Sequence, residues 1–268
     1  MTALILVRGG GDLASGAALR LYRAGLNIAI TELAKPLAVR RTVSFSEAIY
    51  EGETAVEGVI AKAVNDPTDT LKILNVLAKR QIAVLIDPDC VSLKSLYPLA
   101  IVDARMTKLP PERLSHKSLL YIGVGPGFSA PVNCHLVIET QRGHTLGRVI
   151  WNGSSLNDTS KPEGDSRRVL RAPQDGIFNS DAKIGQSYEP GEVIANINGE
   201  EITAPFPGVL RGLLHPGLNA VKGMKIGDID PRNDPRLCQL VSDKSLAIGG
   251  GVLEALLTRP EVRIKLWV

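Results

Sequence analysis

Ala172-Pro173-x-x-Gly176-Ile177 recurs as Ala204-Pro205-x-x-Gly208-Val209, an offset of 32 residues. The same offset carries Gly185 onto Gly217, Gly191 onto Gly223, Ile194 onto Ile226 and Ile197 onto Ile229. Matches at glycine and apolar positions define a duplicated unit, and a duplication constrains the fold before any single motif does. Each half is too short to bury an apolar face alone. The pattern predicts two interlocked all-β halves related by pseudo-twofold symmetry, packed around Ile177, Ile194, Val209 and Ile226. Between them, Asn198-Gly199-Glu200-Glu201 carries a type I′ turn signal.

This duplicated segment resembles the barrel-sandwich hybrid of biotinyl and lipoyl carrier domains. In such carriers the modified lysine stands at the hairpin tip between the halves. Here the tip has no lysine, so covalent biotin or lipoate is not expected. The module is expected to pack, to dock, or to dimerise into a homo-oligomer.

The amino-terminal third reads differently. The apolar run Ala3 to Val7 meets Arg8-Gly9-Gly10-Gly11-Asp12-Leu13-Ala14, followed by a helical pattern through Leu19, Leu21 and Tyr22. A second strand, Ile28 to Thr31, ends at Glu32. Gly9-x-Gly11-x-x-Ala14 between a strand and a helix, with an acidic residue about 20 positions on, is the context of a dinucleotide fingerprint. Backbone N–H groups of Gly9 to Leu13 could meet a phosphate at the helix start, and Glu32 a ribose hydroxyl. Asp12 opposes this unless its carboxylate turns away. The competing reading is a tight turn that binds nothing.

Further apolar runs at Val56 to Val64, Ile82 to Ile86, Ala100 to Val102 and Leu119 to Ile122 alternate with a helix over Pro67 to Lys79, with Asp66 as its N-cap. Six strands with short crossovers predict an α/β class, a Rossmann-like doubly wound sheet ending near Gly127. Ligands of such sheets bind beyond the carboxyl ends of the strands, which here carry Arg8, Glu32, Asp87, Asp103 and Gly123. Arg40 and Arg41 either clamp a phosphate there or lie on a solvated face.

A β-rich middle segment follows. Cys134 to Thr140 alternates like a strand, and Arg142 to Ile150 returns as a hairpin with His144 at its turn, either a ligand contact or simply a turn residue. Adjacent Cys134 and His135 point to opposite faces of a strand, so no metal site is expected from them. Ser242 to Leu257 is a glycine-rich helix whose glycines imply close packing or ligand approach. The expected divisions are 1–128 for the Rossmann-like domain, 129–170 for hairpin and linker, 171–232 for the barrel-sandwich module, and 233–268 for a helical tail.

Composition narrows the partners. With 31 Lys+Arg against 28 Asp+Glu the net charge is +3, too weak a field to imply nucleic acid. Only 4 Phe, 5 Tyr and 2 Trp are present, few for base stacking. No apolar run approaches the roughly 20 residues of a membrane span, and no basic segment precedes the first strand as in a secretory signal. Three scattered cysteines without a CxxC pair fit a reducing, cytoplasmic setting.

Taken together the motifs resemble the selenium-dependent molybdenum hydroxylase accessory family, also called the YqeB family, related to XdhC-like xanthine dehydrogenase accessory proteins. The residues carrying the resemblance are Arg8 to Gly16, Thr31-Glu32-Leu33, Arg40-Arg41, Phe45 to Ala48 and Gly123 to Phe128. It continues through Glu139-Thr140-x-Arg142-Gly143-His144, Gly227-Asp-Ile-Asp-Pro-Arg232 and Ser242 to Glu254. The resemblance implies a maturation factor acting on a molybdenum hydroxylase apo-enzyme. It would bind a molybdopterin-type cofactor or a nucleotide through Arg8, Gly9, Gly10, Gly11, Asp12, Leu13, Glu32, Arg40 and Arg41, with Asp103 or His144 nearby. The alternatives are an NAD(P)-dependent oxidoreductase and a ligand-free docking scaffold. No catalytic residue is assigned.

Overall fold

The computed structural model describes residues 3–112, 114, 118, 120–157 and 164–267, and the chain divides into two compact units. Unit 1 comprises Met1–Pro36, Phe45–Thr159 and Val241–Val268; unit 2 comprises Leu37–Ser44 and Ser160–Leu240.

Unit 1 contains β1 (Leu4–Arg8), α1 (Asp12–Arg23), β2 (Asn27–Glu32), α2 (Ala48–Glu51), β3 (Glu53–Val56), β4 (Val59–Val64), α3 (Thr70–Ala78) and β5 (Ile82–Ile86). It continues with β6 (Ala100–Asp103), β7 (Leu120–Val124), β8 (Ser129–Ala130), β9 (Leu136–Ile138), β10 (Val149–Ile150) and β11 (Gly153–Ser154), and closes with α4 (Asp243–Leu257) and α5 (Pro260–Arg263). Nine strands form one sheet in the order β10-β9-β7-β6-β1-β2-β5-β4-β3. The strands from β9 to β4 run parallel, as continuous apolar runs such as Ile5-Leu6-Val7 and Ile82 to Leu85 require for burial on both faces. The edge strands β3 and β10 pair antiparallel.

Several expectations are corrected here. The sheet does not stop near Gly127, because β9 joins it in parallel and β10 folds back as a hairpin. Val56 to Val64 is not one strand: Glu57 at φ 46 and Gly58 at φ 80 turn the chain between β3 and β4, a type I′ pair. The Pro67 to Lys79 helix begins later, at Thr70, capped by Asp69, whose side chain accepts from the Lys72 N–H. Leu119, expected to open a strand, lies outside the described residues.

The glycine-rich helix is not a separate tail. It is α4, capped by the Ser242 side chain on the Ser245 N–H, and it packs against α1, β7, β9 and β10 within unit 1. Its glycines permit close packing. A Cβ on Gly249 would meet the Gly16 carbonyl at 2.7 Å, and a Cβ on Gly16 would meet the Ser245 Cβ at 2.5 Å.

Unit 2 contains β12 (Val169–Arg171), β13 (Gly176–Asn179), β14 (Ser187–Tyr188), β15 (Val193–Ile197), β16 (Glu200–Thr203), β17 (Gly208–Leu213), β18 (Asn219–Ala220) and β19 (Lys225–Asp230). Two four-stranded sheets result, β12-β19-β17-β14 and β16-β15-β13-β18. The duplication maps β13 onto β17, β14 onto β18 and β15 onto β19. The halves exchange strands: β14 of the first pairs with β17 of the second, and β13 of the first with β18 of the second. Asn198 at φ 50 and Gly199 at φ 84 form the turn between β15 and β16. Ile194, Val209 and Ile226 are buried, whereas Ile177 is exposed and Phe178 takes its place inside. A strand alternates faces with a period of 2, so a register one residue along reverses which side chain is buried.

Candidate functional site

The strand order reverses at β1, which lies between β6 and β2. A crevice beyond the carboxyl ends of the strands is expected at such a switch point, and here those ends present Arg8 and Asp103. Arg8 is the last residue of β1 and pairs in register with Asp103, the last of β6. Its Nη1 donates to Asp103 Oδ2 at 2.9 Å and to the Tyr121 hydroxyl at 3.3 Å. The Tyr121 hydroxyl donates to the same carboxylate oxygen at 2.8 Å. Arg105 completes the cluster, with Nε 2.9 Å from Oδ1 and Nη2 2.8 Å from Oδ2. Arg8, Asp103 and Tyr121 are buried, and Arg105 reaches solvent.

Electrostatics follow from this packing. Burial opposes the Arg8 cation, yet Asp103 and Tyr121 outweigh it and hold its pKa above the ordinary value. Burial and the Asp103 carboxylate drive the Tyr121 phenol upward, so it stays a donor. Arg8 Nε is buried with no hydrogen-bond partner among the described residues. Cys90, buried near Arg8, has its thiol pushed up by burial against the pull of that cation. Asp87, the residue after β5, accepts from the Val91 and Ser92 N–H groups at 2.6 and 3.0 Å and so shapes the loop that carries Cys90. Sequence reasoning missed Tyr121 and Arg105. Tyr121 sits inside an apolar strand, where nothing local marks its hydroxyl as an Asp103 donor.

The glycine loop is arranged differently from a simple phosphate cradle. Glu32 accepts from the Gly10 N–H at 2.6 Å and from the Leu33 N–H at 2.7 Å, so the acid braces the loop it was expected to serve from a distance. Burial raises its pKa against these two donors. The Gly10 carbonyl accepts from Ser15 Oγ and from the Ser46 N–H at 3.0 and 2.9 Å. Gly9 sits at φ +89 with its Cβ position 3.2 Å from the Arg105 Cα, a close approach between the β1 and β6 loops. Asp12 turns aside: Ser245 Oγ donates to its Oδ1 at 2.8 Å. Leu13, the second residue of α1, lies half-buried in the first helical turn.

Other expected site residues lie elsewhere. Arg40 and Arg41 cluster with unit 2. The Arg40 Nη2 donates to the carbonyls of Leu237 and Leu240, and the Arg41 Nε to that of Leu213. Backbone carbonyls of unit 2 thus hold these guanidinium groups, which were expected either to clamp a phosphate or to lie on a solvated face. His144 is exposed in a turn, and its carbonyl accepts from Arg148 Nε at 3.2 Å. Arg142 beside it forms a two-point ion pair with Asp243, at 2.7 and 2.9 Å. His135 Nδ1 accepts from the Tyr121 N–H at 2.9 Å, and Cys134 is buried.

No family model matches the chain. The uncharacterized protein YqeB of Escherichia coli (strain K12) is 45% identical over 258 residues, 95% of this chain and 47% of that protein. The chain is a relative of YqeB. It spans about half the length of that curated relative, and the name YqeB carries no xanthine dehydrogenase accessory role with it. Two solved structures are similar. One is a succinylglutamate desuccinylase from Silicibacter sp. TM1040, 13% identical, TM-score 0.25, covering 85% of this chain and 84% of that one. The other is a succinylglutamatedesuccinylase/aspartoacylase from Rhodobacter sphaeroides, 14% identical, TM-score 0.28, covering 85% of each chain.

These findings correct two expectations. The Rossmann-plus-carrier fold class gives way to the observed topology, a nine-stranded mixed sheet that takes in β9 and β10 in unit 1 and two four-stranded sheets in unit 2. The reading as a maturation factor for a selenium-dependent molybdenum hydroxylase, with its oxidoreductase and scaffold alternatives, is set aside, since no family model matches and the relative YqeB is named only as uncharacterized. Loop motifs fix backbone geometry, not chemistry, which is why they misled. A likeness as weak as that to the two solved structures transfers no hydrolytic activity to the chain. No helix among the described residues is long and apolar enough to cross a membrane.

Proposed function

We propose that unit 1 binds a small phosphorylated ligand beyond the carboxyl ends of β1 and β6, at the amino end of α1. Gly11 carries the reading. It is the N-cap of α1 at φ −71 and ψ −177, ordinary extended backbone open to any residue. A Cβ there would meet no heavy atom within 4 Å among the described residues. The fold therefore does not demand glycine at 11, whereas a ligand approaching the backbone would.

Helix polarity supplies the attraction. The first N–H groups of a helix lack intrahelical acceptors and favour an anion. No side chain caps α1, and Ser245 holds the one nearby carboxylate of the first turn, Asp12. Gly11, Asp12 and Leu13 would contribute backbone N–H groups, and Arg105 a charge at the rim. Arg8, Asp103 and Tyr121 position Arg105 rather than contact the ligand. The three cysteines are buried thiols not joined in disulfides among the described residues, which suits a cytoplasmic setting.

Calorimetry with inorganic pyrophosphate tests this. Gly11→Val places a branched side chain in space the protein leaves open, so the fold should persist. Affinity should fall at least tenfold with the thermal midpoint nearly unchanged. Equal affinity in the variant and the parent chain would remove the α1 terminus from the site.

A further inference from the structure

The two halves of the duplication in unit 2 differ at the ends of β13 and β17. In the second half, the Leu214 N–H donates directly to the Ile226 carbonyl at 2.8 Å, which holds the end of β17 against β19. The equivalent residues of the first half, 32 positions earlier, are Ala182 and Ile194. There the Ser180 hydroxyl stands between them: its Oγ accepts from the Ala182 N–H at 3.1 Å and donates to the Ile194 carbonyl at 2.5 Å. One direct contact is replaced by two in series, so the chain after β13 stands off from β15.

A groove of about 670 Å³ opens at that point, within unit 2. Asn179, Ser180, Asp181, Gln186, Glu192 and Asn196 give it a polar lining, and no cationic side chain lines it among the described residues. Lys183 belongs to the same loop but does not line the groove. At the equivalents of 181, 182 and 186 the second half has Leu213, Leu214 and Leu218, all buried. The same duplicated backbone is thus apolar and closed in one half, polar and open in the other.

The chain itself covers the second half. The Leu37–Ser44 segment, Leu-Ala-Val-Arg-Arg-Thr-Val-Ser, belongs to unit 2. The Leu213 N–H donates to the Val39 carbonyl at 2.8 Å, and Arg41 Nε donates to the Leu213 carbonyl at 2.8 Å. Gly212 permits this approach, because a Cβ there would lie 3.0 Å from Val39 Cγ1 and 3.0 Å from the Val39 carbonyl oxygen. Gly212 and Leu213 correspond to Ser180 and Asp181 of the groove. Ser180 brings a Cβ where Gly212 has none, so an occupant of the first half needs a small residue in place of Val39. Asp181 and Glu192 call for positive charge. Glu192 Oε2 accepts from the Glu189 N–H at 2.6 Å, which fixes that carboxylate in place.

We infer that the groove receives an extended basic peptide segment of another protein, laid along Asn179 to Ala182 as Leu37–Ser44 is laid along β17. The Asp181 N–H takes a main-chain carbonyl, the Asp181 and Glu192 carboxylates take basic side chains, and a glycine or alanine faces Ser180. Main-chain hydrogen bonds supply affinity in this mode of recognition, and side-chain contacts supply selectivity. The proposed anion site of unit 1 plays no part in it.

Amide NMR of the full-length chain titrated with capped peptides tests this. The probe is the 37–44 sequence carrying Val39→Gly. It should shift the amides of Asp181, Ala182 and Asn196, and the same peptide with glutamate at both arginine positions should not. Asp181→Asn combined with Glu192→Gln should weaken the probe about tenfold with the thermal midpoint nearly unchanged. Ala182→Leu combined with Gln186→Leu, which copies the second half, should close the groove and abolish binding. No shift in the groove at about 1 mM probe, the weak end of peptide affinity, would overturn the inference. Equal binding of the glutamate peptide, or affinity unchanged in the carboxylate variant, would overturn it as well. Arginine methyl ester binding as tightly as the probe would make this a small-cation site instead. Dimerisation of the free chain that the two leucines abolish would assign the groove to a second copy.

Discussion

A Cβ on Gly249 would lie 2.7 Å from the backbone oxygen of Gly16. The contact is backbone against backbone, so no side-chain rotation can relieve it, and α1 and α4 would have to separate. Gly249→Ala should therefore destabilise unit 1 by about 1–3 kcal/mol, since overpacking outweighs the gain of about 1 kcal/mol in helix propensity. At Gly250 a Cβ meets nothing within 4 Å among the described residues. Gly250→Ala should stabilise by up to about 1 kcal/mol. Urea unfolding of the two variants side by side checks the opposite signs; equal effects would disprove the close contact.

Glu32 offers a second test. Its carboxylate serves the Gly10 and Leu33 N–H groups, so Glu32→Ala should cost about 1–3 kcal/mol by leaving two donors unmet. Glu32→Gln removes a negative charge beside the anion site and should tighten pyrophosphate. A ribose-binding Glu32 predicts the reverse, with weaker ribonucleotide binding and no gain for pyrophosphate.

Tyr121→Phe deletes the hydroxyl that donates to Asp103 at 2.8 Å. A hydrogen bond to a charged, buried acceptor contributes about 1.5–3 kcal/mol, and chemical denaturation should show a loss of that size. Because Arg105 keeps both its bonds to Asp103, pyrophosphate affinity should change less than in Arg105→Gln.

Acid stability should trace to Asp230. Burial pushes its carboxyl up, but the bonds from Arg232 and Arg211 prevail and hold it well below the usual carboxylate range. A folded pKa below the unfolded value of about 3.9 gives stability that is complete above about pH 5 and is lost as pH falls toward the folded pKa. Asp230→Asn should cost about 3 kcal/mol or more at pH 7, by breaking a buried pair. The gap to the parent chain should narrow between pH 5 and pH 3. A gap constant over that range would place the acid sensitivity elsewhere.

Local patterns were legible in the sequence wherever a few consecutive residues settle the outcome. The duplication appears as strands at equivalent positions, from β13 and β17 through β15 and β19. Asn198-Gly199 makes the expected positive-φ turn, and Ser242 caps the glycine-rich helix. Backbone conformation at such points depends on neighbours within a turn or two, which the sequence displays.

Partners distant in the chain were not legible. Only tertiary structure set Glu32 on the Gly10 N–H, turned Asp12 toward Ser245 and lodged Arg40 against the carbonyls of Leu237 and Leu240. It alone placed β9 beside β7 and returned α4 to α1. The sequence by itself determined the parallel-strand runs, the repeat and its turns, because sterics and hydrophobic period act within a few residues. Tertiary structure decided which charge meets which, because burial leaves each polar group only the partners that packing brings within hydrogen-bond reach.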